Sequence, residues 1–483
     1  MKRVVSHTAA VVLTLAVLVS CSVDRSSGDL SEVTGYWRGV PPSQEAMGME
    51  LVFLIEQAGE SRLEATGYWL LNGAVNNEFP VDRAVYLGDE AALALAYGGA
   101  TYVATVDPKL GIARGSLSRR DHEETLLMTR VESGTLEELT PRSGMTGADY
   151  LYETPEASDD GWETASFGDV GMDGGVASEA VRGVLDGKYG FITSLLVVRD
   201  DRLVLEEYFY GSGRGQLEPT MSVTKSVVSL LVGAAIDRGL IDGVGVPILS
   251  FFPTRRAQAA DGWEDVTLEH VLTMSTGVEW PVEVKQGGYV APSDRFSGVL
   301  QRPIASKPGI RFDYVGLNVE LLAGVLETAT GVHADIYARD ALLTPIGITE
   351  YDWSNLRWEG HPLMAGSLRL KPRDMARIGQ LVLNGGLWDG KRIVSESWIE
   401  RSTATQIEEA PGRGYGYLWW TGDYEMAGQT VRAVFASGLG SNYIAVLPEY
   451  DMVVVTTGRN VTNGLHQAPL DMVRDHILPA VRR

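Results

Sequence analysis

A single cysteine, Cys21, stands in a chain of 483 residues. No disulfide can close within one copy, so the fold rests on its apolar core and its hydrogen bonds. Positive charge is also scarce: 41 Lys and Arg against 63 Asp and Glu leave a net charge of −22. That balance argues against nucleic-acid binding, which calls for a basic face. Histidine is thin as well, with seven scattered along the chain. The sequence has no H-E-x-x-H zinc helix, no G-x-S-x-G nucleophile elbow and no glycine-rich phosphate loop opening a helix. His270, His333 and His361 read as structural residues, and neither a metal nor a cofactor is expected. No apolar run reaches the roughly 20 residues that a spanning helix needs.

What is present describes a globular protein with a large core: 45% hydrophobic and 22% charged residues. The length allows two or three domains. Residues 1–21 have the form of a secretory signal, with Lys2 and Arg3, an apolar run over 9–19, then Ser20 and Cys21. The last four, Leu18-Val19-Ser20-Cys21, resemble the bacterial lipobox. That resemblance implies cleavage before Cys21, lipidation of its thiol and residence in the cell envelope as a lipid-anchored protein, on the periplasmic side where there are two membranes. Residues 22–33 are polar and read as a tether.

Residues 34–131 carry short strands separated by turn signals such as Ala58-Gly59, Asn72-Gly73, Gly98-Gly99 and Asp107-Pro108. Strands this frequent, with no helical periodicity, predict a small all-β, barrel-like domain. Its opening Gly35-Tyr36-Trp37-Arg38-Gly39 is similar to the start of lipocalin-like barrels. Residues 132–159, rich in Gly, Pro and acidic groups, read as a linker to a second domain over 160–483.

Within that second domain, residues 219–239 predict one helix. Val223, Val227, Leu230, Leu231 and Ala234 recur at helical spacing, and Ser222, Lys225, Ser226 and Ser229 share another face. Gly239 suits the helix end. Ser222 falls in the first turn, where free N–H groups and the helix dipole favour negative charge on oxygen. Lys225 lies one turn on, within hydrogen-bond reach, as a serine nucleophile and its lysine base require. The lysine serves as a base only as the neutral amine, and the small residues Gly233, Ala234 and Ala235 suit a tightly packed, dry helix. Taken alone, Ser and Lys three apart arise by chance on many surface helices.

The surroundings raise that prior. Strand patterns at 192–198 and 203–208 precede a mostly helical region, and three more follow at 431–435, 443–447 and 452–456. They predict an α+β domain with one antiparallel five-stranded sheet, a helical lobe and a cleft between them. This layout resembles the serine β-lactamase and penicillin-binding-protein superfamily, in its class C and esterase branch, over roughly 150–482. Tyr314, in Tyr314-Val-Gly316-Leu-Asn318, stands where the second family motif is expected, but Gly316 replaces the β-lactamase Asn. The Tyr-x-x-x-Asn form is similar to 6-aminohexanoate-dimer (nylon-oligomer) hydrolases.

The third motif corresponds to Phe435-Ala436-Ser437-Gly438-Leu439-Gly440-Ser441-Asn442, where Ala436 replaces the lysine that meets a β-lactam carboxylate. By resemblance, the N–H groups of Ser222 and Leu439 form an oxyanion hole and Gly438 lets substrate approach. Asn318 and Tyr289, the latter on a loop over 278–296, are candidate substrate contacts. The implied activity is hydrolysis of an amide or ester, small-molecule or peptide-like, through an acyl-enzyme on Ser222, with Lys225 as base and Tyr314 as proton relay. Alternatives are a β-lactamase or D-alanyl peptidase, and a non-catalytic envelope binding protein in which the barrel does the binding.

Overall fold

A computed structural model describes residues 26–45, 49–71, 74–119, 122–132, 139–281, 295–354, 357–358, 360–426, 429–461 and 464–482. The signal segment with Cys21, and Tyr289, lie outside the described residues. The chain divides into two compact units: Met1–Met145 with Phe209–Gly211 and Arg459–Leu465, and Thr146–Tyr208 with Ser212–Gly458 and His466–Arg483.

The first unit has nine strands: β1 (Gly35–Gly39), β2 (Met49–Gly59), β3 (Arg62–Leu71), β4 (Ala74–Pro80), β5 (Arg83–Leu87), β6 (Ala92–Tyr97), β7 (Ala100–Asp107), β8 (Ile112–Arg119) and β9 (His122–Val131). Antiparallel pairing runs from β1 through β9, β8, β7, β6, β5, β3 and β2 back to β1, closing an eight-stranded barrel, while β4 pairs with β3 outside the ring. Closure leaves no open edge within the ring. Trp37, Phe53, Ile55, Leu93, Leu95, Tyr102, Leu117 and Leu126 pack into its core, so side chains fill it. The expected tether is corrected in its second half. Ser26 N–H bonds the Ser61 carbonyl, Leu30 and Val33 are buried, and Trp37 Nε1 donates to the Val33 carbonyl at 2.7 Å. Residues 26–33 are therefore part of the barrel.

The second unit also begins earlier than expected, since Thr146 opens a short capped turn over Gly147–Asp149 and Tyr150 is buried. Its sheet is larger than five strands. The strands are β10 (Glu163–Thr164), β11 (Ile192–Arg199), β12 (Arg202–Tyr208), β13 (Ile407–Ala410), β14 (Arg413–Tyr415), β15 (Trp420–Met426), β16 (Gln429–Gly438), β17 (Asn442–Leu447) and β18 (Met452–Gly458). Their order is β10-β12-β11-β18-β17-β16-β15-β14-β13. The five predicted strands form its middle. β10, β13, β14 and β15 were not predicted; the first three are runs of two to four residues, too short to show alternation.

Helices of the second unit include α1 (Gly174–Leu185), α2 (Val223–Asp237), α3 (Leu321–Thr330) and α4 (Pro372–Leu383). α2 is buried on every side from Val223 to Ala235, so the expected hydroxyl face is internal. Ser226 Oγ donates to the Leu418 carbonyl at 2.6 Å. Gly233 is needed because a Cβ there would stand 2.3 Å from Trp398 Cδ1. α4 lies against the sheet through Gly379, whose Cβ would fall 2.4 Å from Val453 Cγ1 and 2.8 Å from Ile444 Cγ2.

Candidate active site

Ser222 is the N-cap of α2 rather than a residue of its first turn. Its N–H therefore precedes the first intrahelical bond and the helix supplies it no acceptor. The turn before it is strained: Met221 holds φ at 51°, a left-handed conformation that costs a side-chain-bearing residue about 1–2 kcal/mol. Neighbouring bonds hold it in place. Thr220 N–H and Oγ1 both donate to the Leu368 carbonyl, at 3.0 and 2.8 Å, and Leu368 N–H donates to Thr224 Oγ1 at 3.3 Å. Strained residues held by their surroundings gather at functional sites.

Lys225 follows on the inner side of α2 and is 3% exposed. Its Nζ donates to Ser222 Oγ at 2.7 Å and to the Ala365 carbonyl at 2.6 Å. The Ala365 segment is itself held by Glu320, whose carboxylate accepts the N–H groups of Met364 and Ala365, each at 3.0 Å. The expected pairing of hydroxyl and amine is thus joined by a carbonyl and a buried carboxylate that sequence reasoning missed. A carbonyl oxygen has no sequence signature, and Glu320 stands in no motif.

Gly316 lies on the amine's other side. A Cβ there would come 3.2 Å from Ala365 Cβ and 3.9 Å from Lys225 Nζ. A side chain at this position would press on Ala365, the residue whose carbonyl the amine bonds. Tyr314 meets Lys225 with its ring face, Nζ standing 5.1 Å from the centroid. Among the described residues, no hydrogen bond joins its hydroxyl to Ser222 or Lys225. Catalytic hydrogen bonds often tighten only when substrate is bound. Tyr314 belongs to an aromatic group with Trp420 at 5.5 Å, Tyr415 at 6.1 Å and Phe312 at 6.3 Å between ring centroids. Burial, and then the neighbouring Tyr314, push the Tyr415 phenol well above its ordinary pKa, so Tyr415 stays a neutral wall residue.

The end of β16 closes the site. A Cβ on Gly438 would stand 2.4 Å from the Thr220 carbonyl oxygen and 3.1 Å from Ser222 N, so only glycine lets the strand touch the nucleophile's turn. Leu439 follows in the turn to β17 and is half exposed. Its carbonyl accepts from Asn442 Nδ2 at 2.7 Å, and the same amide exchanges two bonds with the Gly458 backbone, each 3.2 Å. Asn442 thereby fixes the turn that carries the Leu439 N–H, a role its place in a glycine-rich stretch did not reveal. Ala436, buried in β16, brings no cation to the site.

Asn318 is corrected as a substrate contact: it is 1% exposed, and its Oδ1 accepts from Trp280 Nε1 at 3.1 Å. It ties the loop after Gly277 to the short helix Gly316–Val319 instead.

Sequence and structural comparisons identify the family and the fold around this site. The Beta-lactamase family profile matches residues 173–478. A 6-aminohexanoate-dimer hydrolase of Paenarthrobacter ureafaciens is 26% identical over 298 residues, covering 54% of this chain and 71% of its own. Among solved structures, a hydrolase with promiscuous acyltransferase activity, EstCE1, superposes with a TM-score of 0.53 at 14% identity, over 63% of this chain and 98% of the other. A penicillin-binding protein homologue from Caulobacter crescentus superposes with a TM-score of 0.51 at 14% identity, over 63% and 97%. These two likenesses speak for the fold. The chain belongs to the beta-lactamase family, and it is an enzyme of the serine-hydrolase kind.

Proposed function

We propose that the protein cleaves an amide or a carboxylic ester through an acyl-enzyme on Ser222. The observation that carries this is the 2.7 Å contact between Lys225 Nζ and Ser222 Oγ, made by an amine that is 3% exposed. The reaction calls for the uncharged amine, the form in which a lysine can accept a proton. In that form Nζ keeps an N–H on the Ala365 carbonyl and turns its lone pair to the Ser222 hydroxyl. The proton passes from Oγ to Nζ as Oγ bonds to the substrate carbonyl carbon, and the carbonyl oxygen takes the negative charge. The Ser222 and Leu439 N–H groups would hold that oxyanion, a contribution that typically reaches about 3 kcal/mol per donor. Collapse expels the amine or alcohol, which takes the proton back from Lys225 by way of Tyr314. Water then attacks the acyl-enzyme by the reverse route and releases the acid.

The 6-aminohexanoate-dimer hydrolase relative supports a small linear amide as one substrate class. The aromatic group of Phe312, Tyr314, Tyr415 and Trp420 beside Lys225 favours an apolar chain on one side of the scissile bond. A fluorophosphonate probe tests the reading: it should label the wild-type chain and not Ser222→Ala. Labelling that persists in the variant, or no turnover across broad ester and amide panels, would reject it.

The β-lactamase and D-alanyl peptidase reading is second, and Ala436 counts against it. Fluorescent penicillin should label the protein slowly or not at all. The envelope anchor belongs to this proposal as well. Fatty-acid labelling in a bacterial host should be lost in Cys21→Ala, and unchanged labelling would remove the anchor.

A further inference from the structure

Away from Ser222, the last turn of α3 and the hairpin Arg357–Trp358/His361–Pro362 bring three potential ligands together. Glu327 sits on the final turn of α3. Gly331, with φ 74°, turns the chain, and His333 caps the helix Ala334–Ala338. His361 opens the second strand of the hairpin. His361 Nε2 stands 3.4 Å from one Glu327 carboxylate oxygen, and His333 Nε2 stands 3.7 Å from the other. The two imidazoles stack with centroids 4.9 Å apart at 29°. All three donor atoms lie within 4.8 Å of one another.

These separations are informative. A hydrogen bond or tight ion pair between imidazole and carboxylate closes to about 2.7–3.0 Å. Ligands at about 2.0–2.2 Å from a tetrahedral ion stand about 3.4 Å apart. The two imidazole–carboxylate separations, 3.4 and 3.7 Å, are thus nearer the spacing of ligands round an ion than that of a shared proton. The surroundings suit one. His361 is nearly buried and packs edge-on against Phe296 at 5.6 Å, which orients its ring. The side chains of Glu327 and His333 are partly exposed, so an ion has a path in and a further position for water. A chain of net charge −22 also concentrates cations near its surface.

We propose that Glu327, His333 and His361 bind a divalent transition-metal ion of the Zn2+ class. Two imidazoles and one carboxylate form a donor set for Zn2+ and its late first-row neighbours, whereas Ca2+ and Mg2+ take oxygen ligands. The ion clamps the hairpin to the C-terminal end of α3. Glu320, just ahead of the other end of that helix, holds Met364 and Ala365, so the clamp and the carboxylate grip the same segment three residues apart. That segment carries the carbonyl to which Lys225 donates. The reading of the ion site stands whether or not Ser222 is acylated.

The test uses the full chain purified without a polyhistidine tag and stripped with a chelator. Calorimetric titration with ZnCl2 should show one ion bound per chain, with no comparable uptake of Ca2+. His333→Ala and Glu327→Gln change partly exposed groups, and circular dichroism would confirm their fold. Each should weaken that binding by more than about tenfold. Co2+ in place of Zn2+ should give a four-coordinate visible spectrum that both variants lose. Zn2+ should also slow amide exchange at Met364 and Ala365 in the wild type. No uptake, or uptake and spectrum unchanged in both variants, would overturn the site; binding without slower exchange would overturn the clamp.

Discussion

Glu320 governs Lys225 without touching it. Its carboxylate accepts the N–H groups of Met364 and Ala365, and the Ala365 carbonyl orients the amine. Glu320→Ala removes both acceptors and frees that carbonyl to drift. The expected result is a fall in kcat of about tenfold or more with KM little changed, because an interaction serving the transition state is lost rather than substrate binding. Steady-state kinetics on an ester substrate checks this; an equal rise in KM with constant kcat would contradict it. Gly438 makes a sharper case. Gly438→Ala places a methyl group 2.4 Å from the Thr220 carbonyl and forces β16 away from the nucleophile's turn. Displacement near 1 Å at a catalytic group costs about a hundredfold in rate. The variant should keep its circular dichroism spectrum and lose activity on that scale. At this scale the sequence showed Ser222 and Lys225, because the strands and helical lobe around them turned a chance spacing into a recognisable pair. It hid Glu320, Ala365 and the left-handed Met221, which act through the backbone. It also misplaced Asn318, whose motif position says nothing of burial against Trp280.

Among the elements, α4 meets one carboxylate and carries another, and their pKa values move in opposite directions. Arg373 on its first turn is 3% exposed and meets Glu206 of β12 through Nε at 2.7 Å and Nη2 at 2.6 Å, with Asp160 at 2.8 Å. Burial acts to raise the Glu206 carboxyl, but hydrogen bonds from Arg373, Tyr208 and Arg214 outweigh it and hold the pKa below its usual range. A depressed carboxylate stabilises the fold above its unfolded pKa, about 4.3. That contribution is lost as pH falls through the lower folded value. Arg373→Met should cost about 3 kcal/mol or more, because it strips a buried charge of its bidentate partner, and urea melts at neutral pH measure it. Asp374, the next residue, is different: burial, only partly countered by Arg377 and Lys371, pushes its pKa up to about 6. A raised carboxyl destabilises the fold above the folded pKa, and the penalty fades as pH falls from about 6 toward the unfolded value near 4. Asp374→Asn should therefore melt higher than wild type at pH 7, by up to about 3 kcal/mol in stability, with the difference closing near pH 4. A constant difference across that range would remove the assignment. The Lys371-Pro-Arg-Asp stretch was legible as core and capping, but the partners of Arg373 lie far off in sequence and no local pattern names them.

At the scale of the whole molecule, the order of strands, helical lobe and strands was legible because the five strands β11, β12, β16, β17 and β18 alternate or run apolar over five or more residues. The domain edges were not, since Leu30, Val33 and Tyr150 sit in polar stretches that local composition reads as loose chain. These edges decide how the two units should be separated experimentally. The barrel closes on itself around its own core, and the hydrolase sheet packs around a second core centred on α2. Cutting at residue 34 would leave Leu30 and Val33, two buried core residues of the barrel, exposed on the remaining chain. A clean deletion removes residues 26–132 instead. Ser222, Lys225, Tyr314, Ala365 and Leu439 all lie in the second unit, and each contact made with the amine is internal to it. The deletion should therefore keep ester turnover within a few-fold of the full chain, and calorimetry should show one of two melting transitions gone. A fragment that is soluble and folded by circular dichroism yet inactive would instead make the barrel part of the catalytic machinery. The non-catalytic reading of the hydrolase fold predicts no turnover from either chain, so the same pair of proteins separates all three outcomes.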